Sequence, residues 1–174
     1  MAIQSHQGDS NAGRWMLWLA ALGFLAGLTA LFQFGITQRS GIVRSSTDAG
    51  HSIVVLQMDR SGHYFAEGSI NGQLVVFLID TGATDVALPQ NIARKLGLPF
   101  GPQVTVMTAA GPVQAWRTRL DTVSLGNVSL TNVSATITQG PMQEVLLGMS
   151  FLKHFSIHQQ GEELIIETTG GLKP

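Results

Sequence analysis

Leu78-Ile79-Asp80-Thr81-Gly82-Ala83-Thr84 brings a carboxylate out of an apolar run and turns it sharply on a glycine. Residues Val75 to Ile79 are too uniformly hydrophobic for an exposed edge strand, so Asp80 is expected to leave a buried sheet where desolvation can raise a carboxyl pKa. Thr81 adds an orienting hydroxyl, and Gly82 allows a close backbone approach that a side chain would forbid. The plainer alternative is a strand ending in an Asp-Thr-Gly turn, because these residue types all favour turns.

Working outward, the residues around this stretch read as nearly all strand. Ser52 to Met58 is a β-branched run followed by a turn at Asp59-Arg60-Ser61-Gly62. Tyr64 to Ile70 pairs with Leu74 to Ile79 across Asn71-Gly72, a strong hairpin signal that delivers Asp80. Val104 to Met107 and Val113 to Leu120 flank Thr108-Ala109-Ala110-Gly111-Pro112, a second hairpin with a small-residue tip. Val123 to Leu125 and Val128 to Ile137 form a third pair about Gly126-Asn127, and Glu163 to Glu167 supplies a terminal strand. Ile92 to Leu98 and Met149 to His154 read as short helices. Asp-Thr-Gly occurs once, and no internal repeat or low-complexity tract is present.

Upstream, the 18 residues Trp15 to Phe32 carry no charge, and only Thr29 has a polar side chain. That length approaches the hydrocarbon thickness of a bilayer. The rivals to an uncleaved anchor are a buried globular helix and a cleaved signal, and the anchor is favoured over cleavage because the run exceeds a usual signal core and lacks a clear Ala-x-Ala site. Charge does not decide its orientation, since Arg14 lies on one side and Arg39 and Arg44 on the other. Gly23 and Gly27 have the spacing that lets membrane helices pack closely, although small residues are common in such helices anyway. The domain reading is a short tail (1–14), a transmembrane anchor (15–34), a polar linker (35–50), a β domain (51–169) and a C-terminal tail (170–174).

With 174 residues and a formal charge of −1, the chain suits one domain plus an extra segment and offers nothing for a polyanion, so no nucleic-acid partner is expected. Arg117 and Arg119 read as charges on the outward face of one strand. The absence of cysteine excludes disulfides, zinc-thiolate sites and cysteine nucleophiles. His154 and His158 have helical ligand spacing, but Phe155-Ser156-Ile157 alternates like a strand and no metal is expected. Gly148-Met149-Ser150-Phe151-Leu152 lacks the second glycine of a nucleophile elbow, and no nucleotide-binding glycine pattern appears, so no cofactor is expected.

Leu146-Leu147-Gly148 lies 66 residues after Asp80 and precedes the second short helix. Together with Asp80-Thr81-Gly82-Ala83, Ala87-Leu88-Pro89, the first short helix and Thr108-Ala109-Ala110-Gly111, this order resembles the retroviral-type (retropepsin-like) aspartic proteases. More narrowly, it is similar to their bacterial kind with a single membrane span. The resemblance covers Ile53 to Thr168 and implies a closed acid-protease barrel, all-β with one or two short helices, preceded by one transmembrane helix. It also implies a cytoplasmic N-terminus, with the protease domain outside the inner membrane in the periplasm.

In such an enzyme Asp80 is catalytic, Thr81 locks the active loops together, Gly82 permits their approach, and Leu146, Leu147 and Gly148 back the loop. Ala83, Thr84 and Asp85 are expected to line the cleft, with Thr108, Ala109, Ala110 and Gly111 forming a flap over an extended peptide; an ordinary hairpin turn is the alternative. Retroviral enzymes often carry an acid where Thr84 stands, so that substrate contact does not transfer. Asp85 is expected either to bind substrate or to cap the helix region after Pro89. Two carboxylates must act on one water, yet this domain has one motif and about half the residues of a bilobal enzyme. A homodimer with Asp80 of each copy at the two-fold axis, joined partly by a sheet of terminal strands, meets the need. The expected activity is peptide-bond hydrolysis, with processing in the 38–50 linker as a variant. The competing readings are a noncatalytic dimeric peptide-binding module at the membrane and a structural β-barrel fragment.

Overall fold

The computed structural model describes residues 41–48, 51–108, 111–140 and 142–168. All belong to the unit Arg39–Pro174. The expected anchor lies outside the described residues, among which no helix is long and apolar enough to cross a membrane.

The expected Asn71-Gly72 hairpin joins β3 (Phe65–Ile70) to β4 (Gln73–Ile79). Asn71 and Gly72 take φ of 50° and 78°, the left-handed pair that matches the twist of the flanking strands. β4 lies between β3 and a short strand β9 (Val145–Leu147), so it is not an edge, and Phe77 is wholly buried. After the Asp80 loop the chain re-enters as β5 (Val86–Pro89), buried throughout. Helix α1 (Gln90–Lys95) starts two residues before the expected Ile92 and stops short of Leu98, where Gly97 adopts φ 68° and turns the chain out of the helix.

β6 (Gln103–Thr108) pairs with the start of β7 (Gly111–Leu125). The sequence divides β7 into two segments, but it is one strand of 15 residues. Its partner β8 (Val128–Thr138) holds a single register from Leu120↔Val133 to Thr122↔Thr131, carrying the polar Asp121 along in extended form. Strands β3, β4, β9, β5, β8 and β7 follow in order, and β3 pairs back to β7, closing a six-stranded barrel. Closure depends on Gly68, where a Cβ would lie 2.4 Å from the Ser124 carbonyl oxygen and 2.6 Å from the Phe77 ring.

Helix α2 (Met149–Leu152) is shorter than Met149 to His154. Phe151 and Leu152 bury completely, and Phe155 packs its ring 4.9 Å from that of Phe151 while opening β10 (Phe155–Gln160), which extends the strand-like alternation of Phe155-Ser156-Ile157 through three further residues. β10 pairs with β11 (Glu163–Thr168), and β11 with β2 (His51–Gln57). A further strand, β1 (Ile42–Asp48), occupies the stretch expected to be a linker. It pairs with β2, and Asn127 in the β7–β8 turn holds it through Ser45 Oγ, the Ser46 carbonyl and Thr47 Oγ1. Within one chain, therefore, the terminal strands already form a four-stranded sheet in the order β1-β2-β11-β10. Val54, Leu56, Leu164 and Ile166 of this sheet share one hydrophobic core with the barrel.

Candidate active site

Asp80 follows the last residue of β4, where Ile79 lies opposite Leu147 in a parallel pair. The Asp80 amide donates to the Leu147 carbonyl at 3.2 Å, and the Ala83 amide closes the turn on the Asp80 carbonyl at 3.2 Å. The Gly82 amide donates to Asp80 Oδ1 at 2.8 Å, so backbone geometry orients the carboxylate. Asp80 is half-buried, and Thr81 and Gly82 are exposed beside it. A single chain thus presents its Asp-Thr-Gly outward.

Behind the loop, β9 is wedged between the strand that leaves and the strand that returns: Leu146 lies opposite both Leu78 of β4 and Ala87 of β5. The first turn of α2 secures the loop from the far side. Met149 N donates to the Ala83 carbonyl and Ser150 N to the Thr84 carbonyl, both at 2.8 Å. Gly148 makes this fit feasible, since a Cβ there would sit 2.2 Å from the Asp85 carbonyl oxygen. Asp80, Ala83 to Asp85 and Leu146 to Gly148 are therefore brought together as one unit.

Ser150, which the sequence shows only within an incomplete nucleophile-elbow pattern, belongs to the same unit. Its hydroxyl accepts from the buried Val86 amide at 2.9 Å and donates to the Ser134 carbonyl at 2.8 Å, tying β5 to β8 where their ladder begins. Its partners lie 64 and 16 residues away, so no local pattern marks it.

The flap residues form a separate hairpin end. Thr108 lies opposite Gly111, its Oγ1 donates to the Gly111 carbonyl at 2.7 Å, and Gly111 takes φ 107°. Ala109 and Ala110 lie outside the described residues. Asp85 does not cap the following helix: Pro89 is the N-cap of α1, with no side-chain cap bond. Instead, Thr84 and Asp85 line a cavity of about 530 Å³. His154 lines the same cavity, whereas His158 stands on β10 with Nε2 3.7 Å from Glu167, so the two histidines do not share a helix. Among the described residues, no group of three or more His, Asp and Glu is placed to hold a metal ion.

Comparison with known proteins agrees with this geometry. The profile of the family described as gag-polyprotein putative aspartyl protease matches residues 66–154, about half the chain, from β3 to the end of the α2 turn. An uncharacterized protein from the cobV 5′ region of Sinorhizobium sp is 37% identical over 128 residues, 71% of this chain and 54% of the relative. An uncharacterized protein of Rickettsia prowazekii (strain Madrid E) is 32% identical over 124 residues, 70% of this chain and 52% of the relative. The chain thus spans about half the length of the curated relatives it matches. The crystal structure of a retropepsin-like aspartic protease from Rickettsia conorii superposes with a TM-score of 0.60 at 28% identity, covering 73% of this chain and 97% of that one. A half-buried aspartate just past the end of a barrel strand, a glycine-closed loop behind it and a profile spanning both motifs lead to one conclusion: the chain belongs to the retropepsin-like aspartic protease family.

Proposed function

We propose that this protein is an aspartic endopeptidase that works as a homodimer, held at the inner membrane by residues 15–34 with its protease domain in the periplasm. The observation that carries the reading is the Asp80 loop: a half-buried carboxylate, oriented by the Gly82 amide and braced from behind by β9 and α2, with Thr81 exposed next to it. Such a face is complete only when a second copy meets it. The outer edges of β1 and β10 offer further backbone groups for that meeting. For the anchor, the support is the uncharged run Trp15 to Phe32.

In the dimer, two Asp80 carboxyls about 3 Å apart would hold one proton between them, because both cannot ionise at that distance in a poorly solvated cleft. The ionised carboxylate takes a proton from water, whose oxygen forms a bond to the scissile carbonyl carbon. The protonated carboxyl gives its proton to the carbonyl oxygen, producing a neutral gem-diol. Transfer of a proton to the leaving nitrogen then accompanies C–N cleavage, releasing amine and carboxylic acid with no acyl-enzyme. Thr108 and Gly111, at the end of the β6–β7 hairpin, would cover an extended substrate and supply backbone hydrogen bonds.

The test is peptide-library cleavage by the full chain in detergent, wild type against Asp80→Asn, from acidic to neutral pH. Loss of cleavage in the variant supports the mechanism, and equal cleavage refutes it. Specific activity should also fall on dilution as the dimer dissociates. Binding of peptides by wild type without any cleavage would instead favour a noncatalytic module.

A further inference from the structure

Two cavities adjoin at Ser134 on β8. The larger, about 530 Å³, opens beside Thr84 and Asp85 and reaches Lys153; the smaller, about 280 Å³, carries Arg117 and Arg119. These three cations are exposed, and among the described residues none has an ion-pair partner. Arg119 is fixed at the junction, its Nη1 donating to Asn132 Oδ1 at 2.7 Å and to the Asn132 carbonyl at 3.3 Å. Asn132 reaches it by adopting φ 58° within β8. Among the described residues, Asp85 is the single carboxylate lining either cavity. In a chain of net charge −1 this positive excess is local.

The larger cavity lies where the Asp80 loop meets α2. Thr84 and Asp85, which line it with Met149 and Ser150, follow Asp80 by four and five residues, and the cavity that carries the arginines shares Ser134 with it. Leu130 and Met149 give the larger cavity apolar walls for side-chain methylenes, with Lys153 at its polar rim. An extended chain bearing carboxylates satisfies both features.

We propose that this groove binds an acidic stretch of the polypeptide substrate outside the bond that Asp80 attacks, making Arg117, Arg119 and Lys153 determinants of specificity for Asp- and Glu-rich segments. The inference rests on the endopeptidase reading, but its binding step is measured apart from cleavage.

Fluorescence anisotropy of the full-length Asp80→Asn chain in detergent would compare two labelled peptides sharing a central Leu-Phe pair, one flanked by glutamates and its twin by glutamines. The glutamate peptide should bind roughly five- to tenfold more tightly, as expected of two or three partly exposed ion pairs. High salt should erase the difference. The exposed double variant Arg117→Gln/Lys153→Gln should lose most of it, and Arg119→Gln serves as an independent second variant. In wild type the same preference should appear in KM and not in kcat. Equal affinity for the twins, no binding of either, or a preference that survives the variants would overturn the proposal, as would tighter binding of a thymidine oligonucleotide or of anionic vesicles to the same groove. If the glutamate preference holds while wild type cleaves neither peptide, the groove stands and the endopeptidase reading fails.

Discussion

Replacing Gly148 with alanine tests the brace behind the Asp80 loop. Gly148 sits at φ −93° and ψ −172°, an extended conformation that alanine adopts freely. Backbone entropy alone would favour alanine by about 0.4–1 kcal/mol. Sterics oppose it more strongly. The added Cβ would lie 2.2 Å from the Asp85 carbonyl oxygen, 2.7 Å from that of Ala83 and 2.8 Å from the Asp85 carbonyl carbon. All three are backbone atoms, so no side chain can swing away. Relief requires moving the loop off α2, at the expense of the bonds from Met149 N and Ser150 N, both 2.8 Å. Overpacking of this kind costs about 1–3 kcal/mol, and each lost hydrogen bond about 0.5–1.5 kcal/mol. Gly148→Ala should therefore destabilise the fold by about 3 kcal/mol, lowering Tm by about 10 °C. Gly161→Ala is the control: its Cβ meets nothing within 4 Å, and its cost comes only from φ 61°, about 1–2 kcal/mol. Thermal melts of both variants by circular dichroism decide the matter. A Gly148→Ala protein melting within about 2 °C of wild type, or no lower than Gly161→Ala, would refute the packing argument.

Three further perturbations probe other joints. Ser150→Ala strands the buried Val86 amide, so urea unfolding should show a loss of about 1–3 kcal/mol, and an unchanged midpoint would mean that the serine bridge is dispensable. Tyr64 buries a phenol oxygen with no hydrogen-bond partner among the described residues, and desolvation, reinforced by Glu162, pushes its pKa above the ordinary 10.0. Because the unfolded phenol ionises first, stability should decline as pH rises beyond that value. Tyr64→Phe should flatten this alkaline decline and leave stability near neutral pH equal or higher, whereas a marked loss at neutral pH would contradict the unpartnered hydroxyl. Asn127→Ala removes the side-chain bonds to the Ser46 carbonyl and Thr47 Oγ1, so hydrogen exchange in β1 should accelerate while β7 and β8 keep their protection. Unaltered exchange in Arg44 to Thr47 would show that pairing with β2 suffices to hold β1.

What the sequence reveals and what it hides divide along the range of the interactions. Asn71-Gly72 turns because of its own backbone preferences, and Asp80-Thr81-Gly82 is oriented by an amide two residues away, so both are legible locally. β1 is different: Arg44-Ser45-Ser46-Thr47 has no apolar alternation and becomes a strand because β2 and Asn127 satisfy it. β10 shows its alternation only in Phe155-Ser156-Ile157 and then turns polar, leaving the pairing with β11 to define the rest. Ser150 is the clearest case. Its neighbours invite comparison with a nucleophile, yet its hydroxyl is engaged by a donor and an acceptor on two distant strands, so its job is to hold the barrel where the Asp80 loop returns. Arg117 and Arg119 are correctly read as outward-facing, but strand periodicity cannot show that Lys153 from α2's end arrives on the same groove. Local rules place Asp80, and three-dimensional closure decides what surrounds it. A surface assembled from residues remote in sequence, such as the proposed cationic groove, is therefore where resemblance to family members carries the least information and direct measurement the most.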